Sequence, residues 1–200
     1  MLTALPAAVD DRTRLAGVLE RFDTRPDAHV PEAIPAQALW WAFAHGDASS
    51  LVPGADGLLW RLGEHGRGDV TGRDDLGRVQ VQVEVKSAKA RWNYGSRCSI
   101  DCGAQVHQLL RMHAAAPSST LVVVTHARRV PRILPQLQEA FERDAHECAT
   151  WDAAAADDVL ARLIPLSFSD VATALHQSVE TSPASAAPDL LEFLFDVEPR

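Results

Sequence analysis

The run RVQVQVEVKS, from Arg78 to Ser87, decides the fold class of this chain. From Val79 to Lys86 apolar and polar residues alternate without a break. Period two marks a β-strand, whose successive side chains leave on opposite faces. Val79, Val81, Val83 and Val85 therefore line one face, and Gln80, Gln82, Glu84 and Lys86 the other. Upstream, the turn-rich segment Gly72 to Gly77 separates this strand from a second candidate at about Gly68 to Thr71, and Leu58 to Leu62 supplies a third. Further back, Pro35 to His45 carries Ala36, Ala38, Leu39, Trp40, Trp41, Ala42 and Phe43 between Pro31 and Gly46, the pattern of a buried helix. Adjacent tryptophans cannot both enter one narrow stripe, so Trp40 and Trp41 read as core and near-core packing. Leu15, Val18 and Leu19 give an amphipathic helix around residues 10 to 22.

Downstream, Val106, Leu109, Leu110 and His113 or Met112 fall at helical spacing within 103 to 115, and LVVVT (Leu121 to Thr125) reads as a strand covered on both faces. Helices over 131 to 146 and 153 to 163, a short strand over 163 to 168 and a helix over 170 to 176 follow. The order is helix, three strands, helix, strand, more helix, which predicts one α/β domain over residues 1 to 180 with a mixed sheet and extra N- and C-terminal helices. Residues 181 to 188 (TSPASAAP) have linker composition, and 189 to 200 form an acidic and apolar tail. Its segment DLLEFLF, Asp189 to Phe195, either docks back on the domain or engages a protein partner as a short helix.

At 200 residues, 46% hydrophobic and 23% charged, the chain can bury a core, which argues against disorder as its main state. No apolar run approaches the ~20 residues of a membrane-spanning helix, and the first residues lack a signal-peptide pattern, so a cytoplasmic protein without a membrane partner is expected. Cys98, Cys102 and Cys148 are an odd count in a domain large enough to do without staples, and they read as reduced thiols. The net charge of -8 conceals segregation. Between Arg61 and Arg132 lie twelve Lys or Arg against six Asp or Glu, whereas the remainder carries seven against twenty-one. A basic working surface on an acidic scaffold follows, and it keeps nucleic acid open as a partner.

On the alternating strand Glu84 and Lys86 leave the same face about 7 Å apart. Asp69 stands fifteen residues before Glu84, and antiparallel pairing across the Gly72 to Gly77 turn would bring the two together. Two carboxylates and a main-chain carbonyl beside one lysine suit a hard cation such as Mg2+, and that set suits phosphodiester hydrolysis. Next come Lys89, Arg91, Trp92, Tyr94 and Arg97, cations for phosphates and rings for unpaired bases, with no acid from 86 to 97. As a bland alternative, this is a charged loop whose aromatics cover the core edge. Gln105 and Gln108 share a face of the next helix and offer amides to a phosphate or a metal-bound water, or are ordinary surface polarity. Zinc is the rival chemistry, through Cys98, Cys102 and His107 with Cys148 or His146, but the C-x3-C-x4-H spacing is not a usual zinc pattern. There is no Gly-rich phosphate loop, serine elbow or dinucleotide fingerprint.

Asp69 followed by Glu84-Val85-Lys86 on a strand, and then the small polar Ser87, resembles the PD-(D/E)xK nuclease superfamily. The resemblance implies a restriction-endonuclease-like αβββαβ core over about residues 35 to 126, under half of the chain. It implies Mg2+, replaceable by Mn2+, on Asp69, Glu84 and the Val85 carbonyl, with Lys86 assisting the water. The expected function is a metal-dependent nuclease, an endonuclease favouring DNA over RNA, with a homodimer as one way to cut both strands. The chain departs from the family in two places. No acid lies in Pro35 to His45, Glu32 and Asp47 being the nearest, and Leu109 and Met112 stand where some members carry a tyrosine four residues after a glutamine. The alternative is a catalytically inactive protein of the same fold acting as a binding or assembly subunit.

Overall fold

The computed structural model describes residues 11–24, 33–63, 68–86, 100–147 and 153–179. Among them are helices α1 (Asp11–Thr24), α2 (Ala33–His45), α3 (Ile100–Ala115), α4 (Val130–Glu147), α5 (Ala153–Arg162) and α6 (Phe168–Val179). The strands are β1 (Leu59–Leu62), β2 (Val70–Arg73), β3 (Val79–Val85), β4 (Thr120–Thr125) and β5 (Leu163–Ser167). They form one mixed sheet in the spatial order of the sequence, antiparallel from β1 through β3 and parallel from β3 through β5.

The connections follow from local chemistry. Between β2 and β3 the Asp74 carboxylate accepts from the main-chain N–H groups of Leu76 (3.1 Å) and Arg78 (2.8 Å), and Gly77 takes φ +76° to close the turn. Parallel neighbours need crossovers: α3 carries the chain from β3 to β4, and α4 with α5 from β4 to β5. After β5, Ser167 caps α6. Its hydroxyl accepts from the Asp170 N–H at 3.0 Å, and Asp170 Oδ2 accepts from the Ser167 N–H at 2.7 Å, a reciprocal capping box. This box lets α6 begin at Phe168, directly after the strand and two residues before the sequence alone places it.

Helices cover both faces of the sheet. Val81, Val83 and Val85 of β3, with Val122 and Val124 of β4, pack against Leu15 and Leu19 of α1, Leu39 and Phe43 of α2, and Phe168 and Leu175 of α6. On the other side Leu121 and Val123 of β4 meet Val106, Leu109 and Met112 of α3 and Ile133 and Leu137 of α4. Trp41 enters the first core and Trp40 lies at its margin, where its indole N–H donates to the Trp60 carbonyl at 3.0 Å. The element order from α2 to β4 is helix, three strands, helix, strand.

Other boundaries also shift against the sequence reading. β2 begins at Val70, so Asp69 is the residue before the strand rather than within its first turn of pleat. Helix α3 starts at Ile100, three residues earlier than periodicity indicates, because its first turn carries few apolar residues to reveal the pattern. The linker-like segment 181–188 and the tail 189–200 lie outside the described residues.

Candidate active site

Register brings the carboxylates into one row. β2 and β3 pair Val70 with Val83 and Thr71 with Gln82, and one step further sets Asp69 across from Glu84. On the other side β3 pairs Glu84 with Val123 of β4. Directly opposed residues share a face. Asp69, Glu84 and Lys86 therefore belong to the side that α3 covers, at the C-terminal end of β3, where open α/β sheets place their ligands.

Asp69 grips the backbone of β3 on both sides of Glu84. Its N–H donates to the Val83 carbonyl at 2.8 Å, and its Oδ2 accepts from the Val85 N–H at 2.7 Å. The carboxylate thus takes a ladder position where β2 has not yet begun. Gly68 makes this approach possible: it adopts φ +87°, and a Cβ there would stand 2.7 Å from the Val83 carbonyl oxygen and 3.0 Å from the Met112 methyl. Lys86 is fixed from the other side, its N–H donating to the Val124 carbonyl (2.9 Å) and its carbonyl accepting from Thr125 Oγ1 (2.9 Å).

The side chains then converge on Glu84. Lys86 Nζ donates to Glu84 Oε1, and Gln108 Nε2, reaching down from α3, donates to Glu84 Oε2 at 2.6 Å. Glu84 is 2% exposed and Lys86 7%. A buried ion pair gains little net stability, because desolvation of both charges offsets their attraction. Burial raises the pKa of Asp69 above its ordinary 3.8, while the Val85 N–H and the Lys86 ammonium pull it back down.

The polar face of β3 is the main departure from the alternating pattern. A two-faced strand suggests one wet side, yet Gln82, Glu84 and Lys86 are all buried beneath α3. Gln82 donates its amide nitrogen to the Met112 carbonyl (2.8 Å) and Ser119 Oγ (2.7 Å), while its buried Oε1 has no partner among the described residues. Glu84 is partnered by the Lys86 ammonium and the Gln108 amide.

The other residues named from the sequence divide between the site and the undescribed part. Gln108, read as a nucleic-acid contact, has its amide on Glu84. Gln105 and Cys102 lie on α3, where the description extends to the helical backbone only. Lys89, Arg91, Trp92, Tyr94, Arg97, Cys98 and Cys148 lie outside the described residues, as does Glu32. Asp47 is committed elsewhere: it caps a 3-10 turn over Ala48–Ser50, accepting from Ser49 Oγ at 2.6 Å and the Ser50 N–H at 3.3 Å. Sequence reasoning missed Gly68 and Thr125, which act on the site through the backbone. The φ of Gly68 and the register of Thr125 beside Lys86 have no local sequence signal.

Among the described residues no cluster of three or more His, Cys, Asp or Glu side chains is disposed to hold a metal ion. The donor set does fit Mg2+, which commonly takes one or two carboxylates and keeps several waters. Asp69 and Glu84 would be those carboxylates. The Val85 carbonyl lies on the edge of β3 that its N–H shares, beyond the end of β2, since a strand residue points both groups the same way. All three donors are hard oxygens. Comparison of the chain with protein-family models, with curated proteins and with solved structures found no match in any of the three.

Proposed function

We propose that this chain is a metal-dependent nuclease of the PD-(D/E)xK type, with a restriction-endonuclease-like core, that hydrolyses phosphodiester bonds in DNA. One observation carries the reading: Asp69, Glu84 and Lys86, separated in sequence, meet at the C-terminal end of one strand, with Lys86 Nζ on Glu84. Asp69, Glu84 and the Val85 carbonyl would hold Mg2+. When bound, the ion supplies a water of lowered pKa and neutralises charge on the phosphodiester oxygens. Lys86 holds a non-bridging phosphate oxygen as a point charge, or orients the attacking water through its N–H groups. Gln108 keeps the Glu84 carboxylate in one rotamer, which preserves the spacing between acid and lysine. The basic and aromatic run from Lys89 to Arg97 supplies phosphate contacts and stacking surfaces.

A second reading has an observation of its own. Both Glu84 oxygens and Asp69 Oδ2 already accept hydrogen bonds from the protein, and α2 contributes no acid. A site so saturated also suits a silent nuclease fold that serves as a binding or assembly subunit. Purified protein incubated with plasmid, linear and single-stranded DNA and with RNA separates the two. The nuclease cuts with Mg2+ or Mn2+, stops with EDTA, and stops in Glu84→Ala and Lys86→Ala. Cutting that survives either substitution places the chemistry elsewhere, and no cutting together with no Mn2+ binding favours the silent subunit.

A further inference from the structure

We infer that Lys86 is an exchangeable latch on the cation site: it holds Glu84 Oε1 in the cation-free protein and yields that oxygen when a divalent cation binds, while Gln108 keeps Oε2. The inference rests on the nuclease reading above and adds to it how the empty and loaded states interconvert.

Burial creates the need for a latch. A carboxylate 2% exposed cannot rely on water, and an uncompensated charge there is strongly destabilising. A cation beside Glu84 offsets that cost, and Lys86 Nζ supplies one. The two partners of Glu84 differ in kind. Gln108 is neutral, so it can remain beside a divalent ion without repelling it, whereas the Lys86 ammonium and a divalent ion on the same oxygen would repel each other.

The backbone also allows the exchange. Lys86 is fastened to β4 through its N–H on Val124 and its carbonyl on Thr125 Oγ1, so the strand stays put while the four-carbon side chain swings. The ammonium released from Glu84 is then available to a phosphate oxygen of the substrate. One lysine thus guards the empty site and serves the loaded one. Cation affinity in the wild-type protein is the intrinsic affinity reduced by the cost of displacing Lys86.

Mn2+ binding to the full chain, measured by titration calorimetry near neutral pH without nucleic acid, tests the latch. Lys86→Met should bind Mn2+ at least about tenfold more tightly than wild type, the factor expected when a charge-assisted hydrogen bond no longer competes. Lys86→Arg keeps a cation on Glu84 and should bind no more tightly than wild type. Glu84→Gln should lose the binding. Equal or weaker binding by a folded Lys86→Met overturns the latch and leaves the metal site standing. Mn2+ binding that persists undiminished in Glu84→Gln, or is absent from wild type and Lys86→Met alike, overturns the site and the latch together. Should Lys86→Met fail to fold by circular dichroism, the lysine Nζ resonances of the wild-type protein decide. Saturating Mg2+ should shift the Lys86 signal, and an unmoved signal in a Mg2+-bound protein overturns the latch.

Discussion

From Val81 to Lys86 both faces of β3 are buried, and they are built on opposite principles. One presents Val81, Val83 and Val85 to the core of α1, α2 and α6. The other presents Gln82, Glu84 and Lys86 to α3, each with a hydrogen-bond partner. Burial of the valines is favourable in itself, at about 25 cal/mol per Å2 of apolar surface. Burial of an ion pair is close to neutral at best, so the polar face contributes little that an apolar one would not. The contrast between neighbouring residues therefore separates what holds the sheet together from what the sheet holds.

The contrast can be broken at adjacent positions. Glu84→Gln should reduce cleavage at least about a thousandfold, equivalent to roughly 4 kcal/mol of transition-state stabilisation, far beyond any loss of folded protein measured by denaturant titration. Val83→Ala, one residue away, should behave the opposite way: about 3 kcal/mol of stability lost to a cavity, with Mn2+ affinity and the activity of the folded fraction retained. If both substitutions move stability and activity in parallel, the division between the faces is wrong.

Gly68→Ala sharpens the boundary between them. The left-handed backbone and the Cβ close to the Val83 carbonyl should together cost about 2 kcal/mol, read as a lower denaturation midpoint. Because the strain falls on the residue before Asp69, Mn2+ affinity should drop as well, which Val83→Ala does not produce.

The smallest effect is a pH dependence. The pKa of Asp69 is raised by burial, so the folded protein prefers the protonated carboxyl. Stability from this group is complete below its ordinary 3.8 and is lost as pH rises through the folded value. Asp69→Asn keeps an acceptor for the Val85 N–H and removes the buried charge. Without divalent cation, its melting temperature relative to wild type should rise between about pH 3 and about pH 7 while activity disappears. A relative melting temperature that falls over the same interval would show the charge to be stabilising, and Asp69 to be a structural brace alone.

Local pattern made part of the site legible. Alternation from Val79 to Lys86 placed Glu84 and Lys86 on one face, and the short turn before Val79 set Asp69 opposite Glu84 in the observed register. The partner of Glu84 on α3 was not legible as such, since Gln108 is 24 residues away and looks like any helical glutamine. Nor did Asp69 announce that its carboxylate would serve a main-chain N–H of β3, because that bond depends on β2 beginning only at Val70.

The amino-acid sequence alone settled the period of each element, the valine face of β3 and the α/β order of helices and strands. These depend on neighbours a few positions apart, where backbone geometry fixes which side chains share a face. The tertiary structure decided what covers each face: α3 closes over Glu84 and Lys86, turning a pair that sequence would leave in water into a buried one. Coverage depends on contacts between distant segments, and no local period encodes which helix will lie above a given carboxylate.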